Sequence, residues 1–164
     1  MITCISPIDG SVYAERTPLG ASDAAAAVAR ARNAQAAWAA RPLAERIALV
    51  QQDALADIVI EDSDTFRRVI KRVPHGVVLV VAPWNYPYMT AINTVAPALI
   101  AGNAVMLKHA SQTPLVGERM AEAFHAAGIP DDVFQNVFLD HQTTSDLIAA
   151  KSFGFVNFTG SVGG

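Results

Sequence analysis

The sequence predicts an α/β fold in which a parallel sheet has helices on its faces and is preceded by a helical N-terminal arm. The run from Val77 to Ala82 is apolar without alternation, which is typical of a strand buried on both faces of a parallel sheet. After Gly76, short apolar segments alternate with segments of helical periodicity, the order expected of strands and the helices that cover them. Gly102 and Gly128 end two of these helical segments.

The N-terminal part, residues 1–72, is expected to form an arm followed by helices. A Pro-Ile-Asp-Gly turn within residues 6–19 predicts a short hairpin or an extended arm. An alanine-rich helix is predicted over 22–39, and a second helix is predicted to begin with a proline at 42 and to end near 60. Apolar residues at steps of three or four predict the buried face of the first helix: Ala24, Val28, Ala31, Ala34 and Trp38.

The remainder, residues 73–164, is predicted to be an incomplete sheet domain. We predict strands at Val77 to Ala82, Ala104 to Lys108, Phe134 to Phe138 and Phe155 to Thr159. Helices are predicted at about Met89 to Ala101, Pro114 to Ala127 and Ser145 to Ala150. Thr113 before Pro114 is expected to cap one helix, and Thr143 with Asp146 resembles a capping box for the next.

Composition excludes several classes of protein. With 52% apolar and 16% charged residues in 164, the chain is expected to fold as a globular protein. A net charge of -3 with scattered Lys and Arg argues against nucleic-acid binding. No unbroken apolar stretch predicts a membrane span, and residues 1–16 lack the order of a signal peptide, so we expect a cytoplasmic protein. The histidines lack the spacing of a metal motif, so no metal is assigned.

The segment Ala82-Pro83-Trp84-Asn85-Tyr86-Pro87 directly follows the first core strand and is the most informative part of the chain. Ligands of parallel sheets bind beyond the carboxyl ends of the strands, which is where the Asn85 amide is expected. Asn85 could also be a turn residue that hydrogen-bonds its own backbone, and Trp84 could be a core aromatic. The residues alone leave these alternatives open.

Together with two later segments, this motif resembles the aldehyde dehydrogenase superfamily. The second segment runs from Pro97 to Lys108 and leads into Gln112-Thr113-Pro114, and the third is Phe158-Thr159-Gly160-Ser161. The resemblance implies the N-terminal part of a Rossmann-like cofactor-binding domain and, for the parent enzyme, oxidation of a small-molecule aldehyde to an acid with NAD or NADP. It also implies an oxidoreductase that is a homo-oligomer.

At the positions that match the family's motifs, the resemblance implies roles for individual residues. The resemblance implies that the Asn85 amide stabilises the oxyanion formed when a cysteine attacks the aldehyde. It implies cofactor contacts from the backbone at Ala82 and Pro83, from Trp84, and from Lys108 on the ribose. Gly160 and Ser161 would present donors to the pyrophosphate, although a Thr-Gly-Ser turn alone is weak evidence and the GxGxxG fingerprint is absent.

Two positions near Lys108 depart from the family pattern. Ser111 stands where many NAD-dependent members have a glutamate that would repel a 2'-phosphate, so we expect NADP to be accepted. The alternative for Ser111 is that it only caps the following turn. The alternative for Lys108 is that it is a solvated strand end. His109 replaces a common proline and is expected close to the same phosphate.

The chain also lacks parts of the family pattern. Some tens of family residues are missing around Gln51 to Asp53, either through a deletion or because residues were omitted from the numbering. The single cysteine, Cys4, is interpreted as a spectator, and the nucleophile and general base are expected outside these residues. We therefore expect a fragment that is inactive alone. The alternative is a noncatalytic nucleotide-binding or structural α/β piece.

Overall fold

The computed structural model describes residues 1–6, 9–50 and 58–161. The strands in chain order are β1 (Ile2–Ile5), β2 (Val12–Arg16), β3 (Ile58–Asp62), β4 (Arg67–Ile70), β5 (Val77–Ala82), β6 (Ala104–His109), β7 (Phe134–Asn136) and β8 (Phe155–Phe158). The helices are α1 (Ala21–Ala40), α2 (Leu43–Val50), α3 (Pro87–Ile100), α4 (Pro114–Ala126) and α5 (His141–Ala149).

Four parallel strands form the central sheet in the order β7-β6-β5-β8. Strand β5 lies inside the sheet, and five of its six residues are buried, because it has neighbours on both edges and helices on both faces. The predicted parallel sheet is confirmed, with β5 as predicted and the other three strands ending one or two residues from the predicted ends. The carboxyl ends of all four strands meet at one edge, which positions everything described below.

Alternate residues of β5 and β6 face two separate apolar layers. One layer packs against α3 and α4, and its strand residues are Val78, Val80, Val105 and Leu107. The other packs against α1 and α5, and its strand residues are Val77, Leu79, Ala104 and Met106. Each fully buried Val or Leu side chain contributes roughly 1.5–3 kcal/mol relative to exposure, so the two layers hold the sheet between its helices.

Helix α1 extends one residue further at each end than predicted and lies against the sheet. The buried residues of its apolar face are Ala24, Ala27, Val28, Ala31 and Trp38. Ala34 is only partly buried, but it packs against the same core. The buried Trp38 ring donates its Nε1–H to the Leu99 carbonyl at 2.8 Å. Because α1 shares its core with the sheet, we propose that the division into 1–72 and 73–164 follows sequence order and does not separate two cores.

The predicted N-terminal hairpin is present, with β1 and β2 antiparallel. It is attached to helix α4 by Arg16, whose guanidinium donates to both carboxylate oxygens of Glu118. The same guanidinium lies 5.9 Å from the centroid of the Phe138 ring. The arm is therefore fastened to the sheet domain by a partly buried, two-point ion pair.

The second predicted helix is confirmed at Leu43–Val50 and is wrong at residues 58–60. The part of that prediction at 51–57 lies outside the described residues, and residues 58–60 belong to strand β3. Strand β3 pairs antiparallel with β4, forming a two-stranded hairpin whose residues are mostly exposed. Ile58, Val59 and Ile60 are β-branched and favour extended backbone, a signal that the helical interpretation overrode.

Two helix caps differ from the predicted ones. Helix α5 begins at His141, capped by Asp140, whose carboxylate accepts the Thr143 N–H at 2.7 Å. The capping box from Thr143 was therefore wrong, because the carboxylate three residues earlier satisfies that N–H. Thr113 occupies the N-cap position of α4 but makes no side-chain cap hydrogen bond there.

Buried Asn103 sets where strand β5 begins. Its Oδ1 accepts the N–H groups of His75 and Gly76 at 2.6 and 3.1 Å, and its Nδ2 donates to the Ala98 carbonyl at 3.0 Å. The end of α3 is thereby joined to the start of β5, a contact that no sequence pattern indicated. None of the helices in the described ranges has the length and apolar character that crossing a membrane would require.

Candidate cofactor and active site

A cavity of about 1320 Å³ opens at the carboxyl edge of the sheet. The loops after β5, β6 and β8 form much of its wall. Every residue that the sequence assigned to a catalytic or cofactor role lines it: Ala82, Pro83, Trp84, Asn85, Lys108, His109, Ser111, Gly160 and Ser161. Three segments far apart in sequence thus meet at one site, because parallel strands bring their ends together.

The loop after β5 presents Asn85 to this cavity. Tyr86 adopts a left-handed conformation, with φ 52° and ψ 49°, and this turns the chain into helix α3 at Pro87. Such backbone costs on the order of 1–3 kcal/mol in a non-glycine residue and is often found at functional sites. The exposed Asn85 side chain makes no hydrogen bond with any described residue, so the turn-forming alternative lacks the bond that it needs.

Trp84 is 60% exposed, so the interpretation as a core aromatic was wrong. Its ring lines the cavity one residue before Asn85. An exposed indole in a cavity wall offers a ligand both an apolar surface and an N–H donor. By contrast, Ala82 is buried as the last residue of β5, in register with His109 on β6.

Lys108 is buried although it carries a charge. The side chain is 8% exposed, and this burial lowers the pKa of its ammonium, an effect opposed by the negative charge of Asp140. Within the described ranges the ammonium has neither a hydrogen bond nor an ion pair. An ammonium that lines a cavity in this way is suited to bind hydroxyl or phosphate oxygens.

His109 lines the cavity, but both of its ring nitrogens already have partners. Nε2 lies 3.2 Å from the Pro87 carbonyl oxygen. Nδ1 lies 3.0 Å from the Ala110 nitrogen and 2.8 Å from the Thr113 hydroxyl. Burial, partly offset by the Pro87 contact and reinforced by the nearby Lys108 charge, lowers the pKa of the ring. A phosphate contact would cost one of these hydrogen bonds, so the geometry does not favour that expectation for His109.

Ser111 lies exposed in the turn between β6 and α4. The turn is closed by backbone atoms, with the Thr113 N–H donating to the Ala110 carbonyl at 3.0 Å. In the described part of the chain, the Ser111 hydroxyl caps no backbone group, so the capping alternative is not supported. A hydroxyl in this place adds no negative charge beside Lys108.

Gly160 and Ser161 follow the last strand of the sheet. The Thr159 N–H donates to the Val81 carbonyl at 3.0 Å, which keeps the chain against β5 until the turn begins. Both residues line the cavity wall on the side of β8.

Sequence reasoning missed the contribution of helix α5. Asp140, the N-cap of this helix, lines the same cavity, and its pKa is lowered mainly by the hydrogen bonds from Thr143. The position of Asp140 just after the β7 segment, where strand ends meet, could have indicated it. Met1, Ile2 and Thr3 also line the cavity, and nothing local in the sequence predicts where the terminal hairpin docks.

The only cysteine, Cys4, does not line the cavity. It is buried, and its thiol donates to the Gln112 carbonyl at 2.6 Å. A thiol enclosed in this way, outside the cavity wall, is not placed to attack a substrate bound there.

Comparison with known proteins identifies the family. The family model described as Aldehyde dehydrogenase family matches residues 1–70 and 52–163. The chain belongs to the aldehyde dehydrogenase family. It is 32% identical to vanillin dehydrogenase of Corynebacterium glutamicum over 97% of this chain and 43% of that protein. It is 38% identical to a probable succinate-semialdehyde dehydrogenase [NADP(+)] of Synechocystis over 67% of this chain and 24% of that protein.

A solved structure of an aldehyde dehydrogenase supports the same conclusion. The NAD-dependent benzaldehyde dehydrogenase of Corynebacterium glutamicum matches with a TM-score of 0.76 and 30% identity, covering 88% of this chain and 42% of that one. The Rossmann-like interpretation of the sheet is thereby confirmed.

This chain spans less than half the length of these relatives. The match to vanillin dehydrogenase runs over 207 aligned positions, more than the 164 residues present, so the relative has residues that this chain lacks. The two segments matched by the family model overlap at residues 52–70, next to the predicted interruption. The interruption itself, at Gln51 to Asp53, lies outside the described residues.

Proposed function

We propose that the protein represented by this chain oxidises an aldehyde to a carboxylic acid with NAD or NADP. This chain would supply much of the cofactor site and one catalytic group, Asn85. The observation that carries the proposal is the convergence on one cavity of nine assigned residues from three separate segments of the sequence. The nucleophile and the general base would come from residues that this chain does not contain.

The cavity wall fits a dinucleotide by the chemistry of its donors. The ammonium of Lys108, without an ion pair in the described part of the chain, would bind ribose hydroxyls or a phosphate and so gain the partner it lacks. Gly160 and Ser161 would offer a backbone N–H and a hydroxyl to the pyrophosphate. Trp84 would cover one face of the bound cofactor, which, when present, accepts the hydride removed from the substrate.

Asn85 would donate its side-chain N–H to the oxygen that becomes negative when the aldehyde is attacked. Its amide makes no hydrogen bond with the described residues and faces the cavity, so no existing bond must break before it donates. A donor placed at the oxygen where charge develops stabilises the transition state more than the ground state. The left-handed Tyr86 next to it fixes the direction in which the loop leaves β5.

NADP is expected to be accepted because Ser111 brings no charge to the Lys108 end of the cavity. Asp140 lines the cavity as well, and its negative charge acts on Lys108. This carboxylate already accepts the Thr143 N–H at 2.7 Å, which stabilises its charge. A 2'-phosphate would therefore be attracted by the Lys108 ammonium and repelled by the Asp140 carboxylate. It would not meet a second carboxylate, because Ser111 replaces the glutamate of many NAD-dependent members.

A noncatalytic nucleotide-binding piece is the second candidate function. It is favoured by the position of Cys4, the one cysteine of this chain, outside the cavity lining. Both candidates predict cofactor binding by the purified chain. They differ in whether the chain belongs to a protein that turns over aldehydes.

Two measurements test the proposal. Calorimetric titration of the purified chain with NAD and with NADP should show binding that is weakened at least about tenfold by Lys108→Ala, since a hydrogen bond to a charged group is worth roughly 1.5–3 kcal/mol. Incubation of the same chain with an aldehyde and NADP should give no sustained reduced cofactor. Absence of binding to either dinucleotide would reject the cofactor site. Sustained turnover would show that this chain itself contains a nucleophile and a general base.

A further inference from the structure

His109 connects the two loops that carry the best candidate residues. Its Nε2 lies 3.2 Å from the carbonyl oxygen of Pro87, the first residue of α3 and the end of the loop bearing Trp84 and Asn85. Its Nδ1 lies 2.8 Å from the hydroxyl of Thr113, which ends the turn bearing Ser111. One buried ring thus touches both walls of the cavity, each beyond a different strand.

The partners of the ring determine its protonation. The Ala110 N–H can only donate, so Nδ1 must accept, and the proton of the neutral ring lies on Nε2. Nε2–H then donates to the Pro87 carbonyl. Burial lowers the pKa of His109, which keeps this neutral form. Every hydrogen-bonding atom of the imidazole is therefore used within the protein.

Apart from this ring, the two loops are held by backbone hydrogen bonds and by the Thr90 hydroxyl, which donates to the Tyr86 carbonyl at 2.9 Å. The Asn85 side chain has no hydrogen bond to described residues, and Trp84 and Tyr86 are 60% and 76% exposed. On the other side, the Thr113 hydroxyl bonds to the ring and leaves helix α4 without a side-chain cap. Thr113 therefore uses its hydroxyl to hold the ring and not to cap the first turn of α4.

We propose that His109 is a positioning residue that fixes the loop of Asn85 relative to the turn of Ser111, and thereby the alignment of the oxyanion donor with the cofactor site. The inference rests on the proposed function for its consequence in catalysis. Its structural part, the connection between the two loops, stands on the contacts alone.

Hydrogen exchange followed by mass spectrometry tests the structural part in the purified chain. His109→Ala should speed exchange in residues 86–91 at least about tenfold and leave the peptides of α1 unchanged. His109→Gln, whose amide can donate from the position of Nε2, should restore protection there to within about threefold. Thr113→Val removes only the hydroxyl contact and should loosen residues 110–116 more than 86–91.

His125→Gln is the matched control. The Nε2 of His125 contacts the Phe134 carbonyl at 3.0 Å, and the ring lies outside the lining of this cavity. Its replacement should leave exchange at 86–91 unchanged. Equal protection in His109→Ala and in the unsubstituted chain would overturn the proposal. If His109→Ala does not fold, unchanged exchange at 110–116 in Thr113→Val would overturn it too.

Steady-state kinetics of the complete dehydrogenase test the catalytic part. His109→Ala should lower kcat at least about tenfold with less than about threefold change in the KM for the cofactor, and His109→Gln should recover most of kcat. Equal effects on kcat and KM, or no recovery by glutamine, would overturn the positioning role. Absence of cofactor binding by the unsubstituted chain would instead reject the proposed function. The exchange experiment would still test whether His109 connects the two loops.

Discussion

Asn85 and Lys108 line the same cavity from two neighbouring strands of one sheet. Lys108 is in register with Val81 on β5, and Asn85 follows Val81 by four positions along the chain. The amide and the ammonium therefore share the carboxyl edge of the sheet. This relationship lets a single elongated ligand reach both groups.

Replacing Lys108 by Met should raise stability and weaken cofactor binding. The change removes a desolvated ammonium while keeping a similar volume, so the free energy of unfolding should rise by about 1 kcal/mol. Affinity for NADP should fall roughly 10- to 100-fold because the charged hydrogen bonds are lost. Urea unfolding and calorimetric titration measure the two effects. Lys71→Met, at an exposed position, is the control and should change neither.

Asn85→Ala in the complete enzyme should reduce turnover by on the order of 10² to 10³, the usual effect of removing one oxyanion donor. Cofactor affinity should change little, because the amide is expected to act on the reacting oxygen. Asn33→Ala, on the exposed side of α1, provides an amide deletion far from the cavity. Steady-state kinetics and cofactor titration separate the two quantities, and equal losses in both would reject the role.

Ser111→Glu should select against NADP. A carboxylate here would face a 2'-phosphate and cost roughly 1–4 kcal/mol at contact, depending on the local dielectric. We expect the Kd for NADP to rise at least about tenfold and the Kd for NAD to change less than about threefold. Gln112→Glu adds the same charge in the same turn but outside the cavity lining, and should not discriminate. An unchanged ratio of the two Kd values in Ser111→Glu would contradict the placement of the phosphate.

Stability should decrease as the pH falls below the ordinary range of histidine, in part because of His109. The folded-state pKa of this ring is lowered from 6.5, so the unfolded chain binds a proton that the folded one excludes. The contribution is fully present above about pH 6.5 and is lost as the pH falls toward the lower folded-state pKa. Comparing Tm at pH 7.5 and 5.5, the decrease should be smaller in His109→Gln than in the unsubstituted chain. An equal decrease in both would show that other groups cause it.

Gly154→Ala should destabilise the sheet. A Cβ at Gly154 would lie 2.0 Å from the carbonyl oxygen of His75, backbone that cannot move without disturbing the start of β5. Overpacking of this kind costs typically 1–3 kcal/mol, which corresponds to a decrease of several degrees in Tm. Gly20→Ala is the control, since its Cβ would meet nothing closer than 3.8 Å. A thermal melt of Gly154→Ala that matches that of Gly20→Ala would contradict the steric argument.

The parts of the fold that were predicted correctly depend on local signals. The apolar run of β5 needs no partner to be recognised as a doubly buried strand, and α1 shows its face through the period of its small residues. The hairpin of β3 and β4 was missed because its β-branched residues were interpreted as a helix continuing from α2. Whether such a segment is extended depends on a pairing partner, here Arg67–Ile70, that lies beyond a turn.

The family, the parallel sheet and the nine candidate site residues can all be inferred from motifs in the chain. Three features became visible only in the folded molecule: Lys108 is buried without an ion pair among the described residues, Asp140 reaches the same cavity, and His109 joins two loops. The reason is physical: motifs record which side chains follow a strand, whereas burial and hydrogen-bond partners are set by segments distant in sequence. Those partners exist only once the parallel strands have brought their ends together.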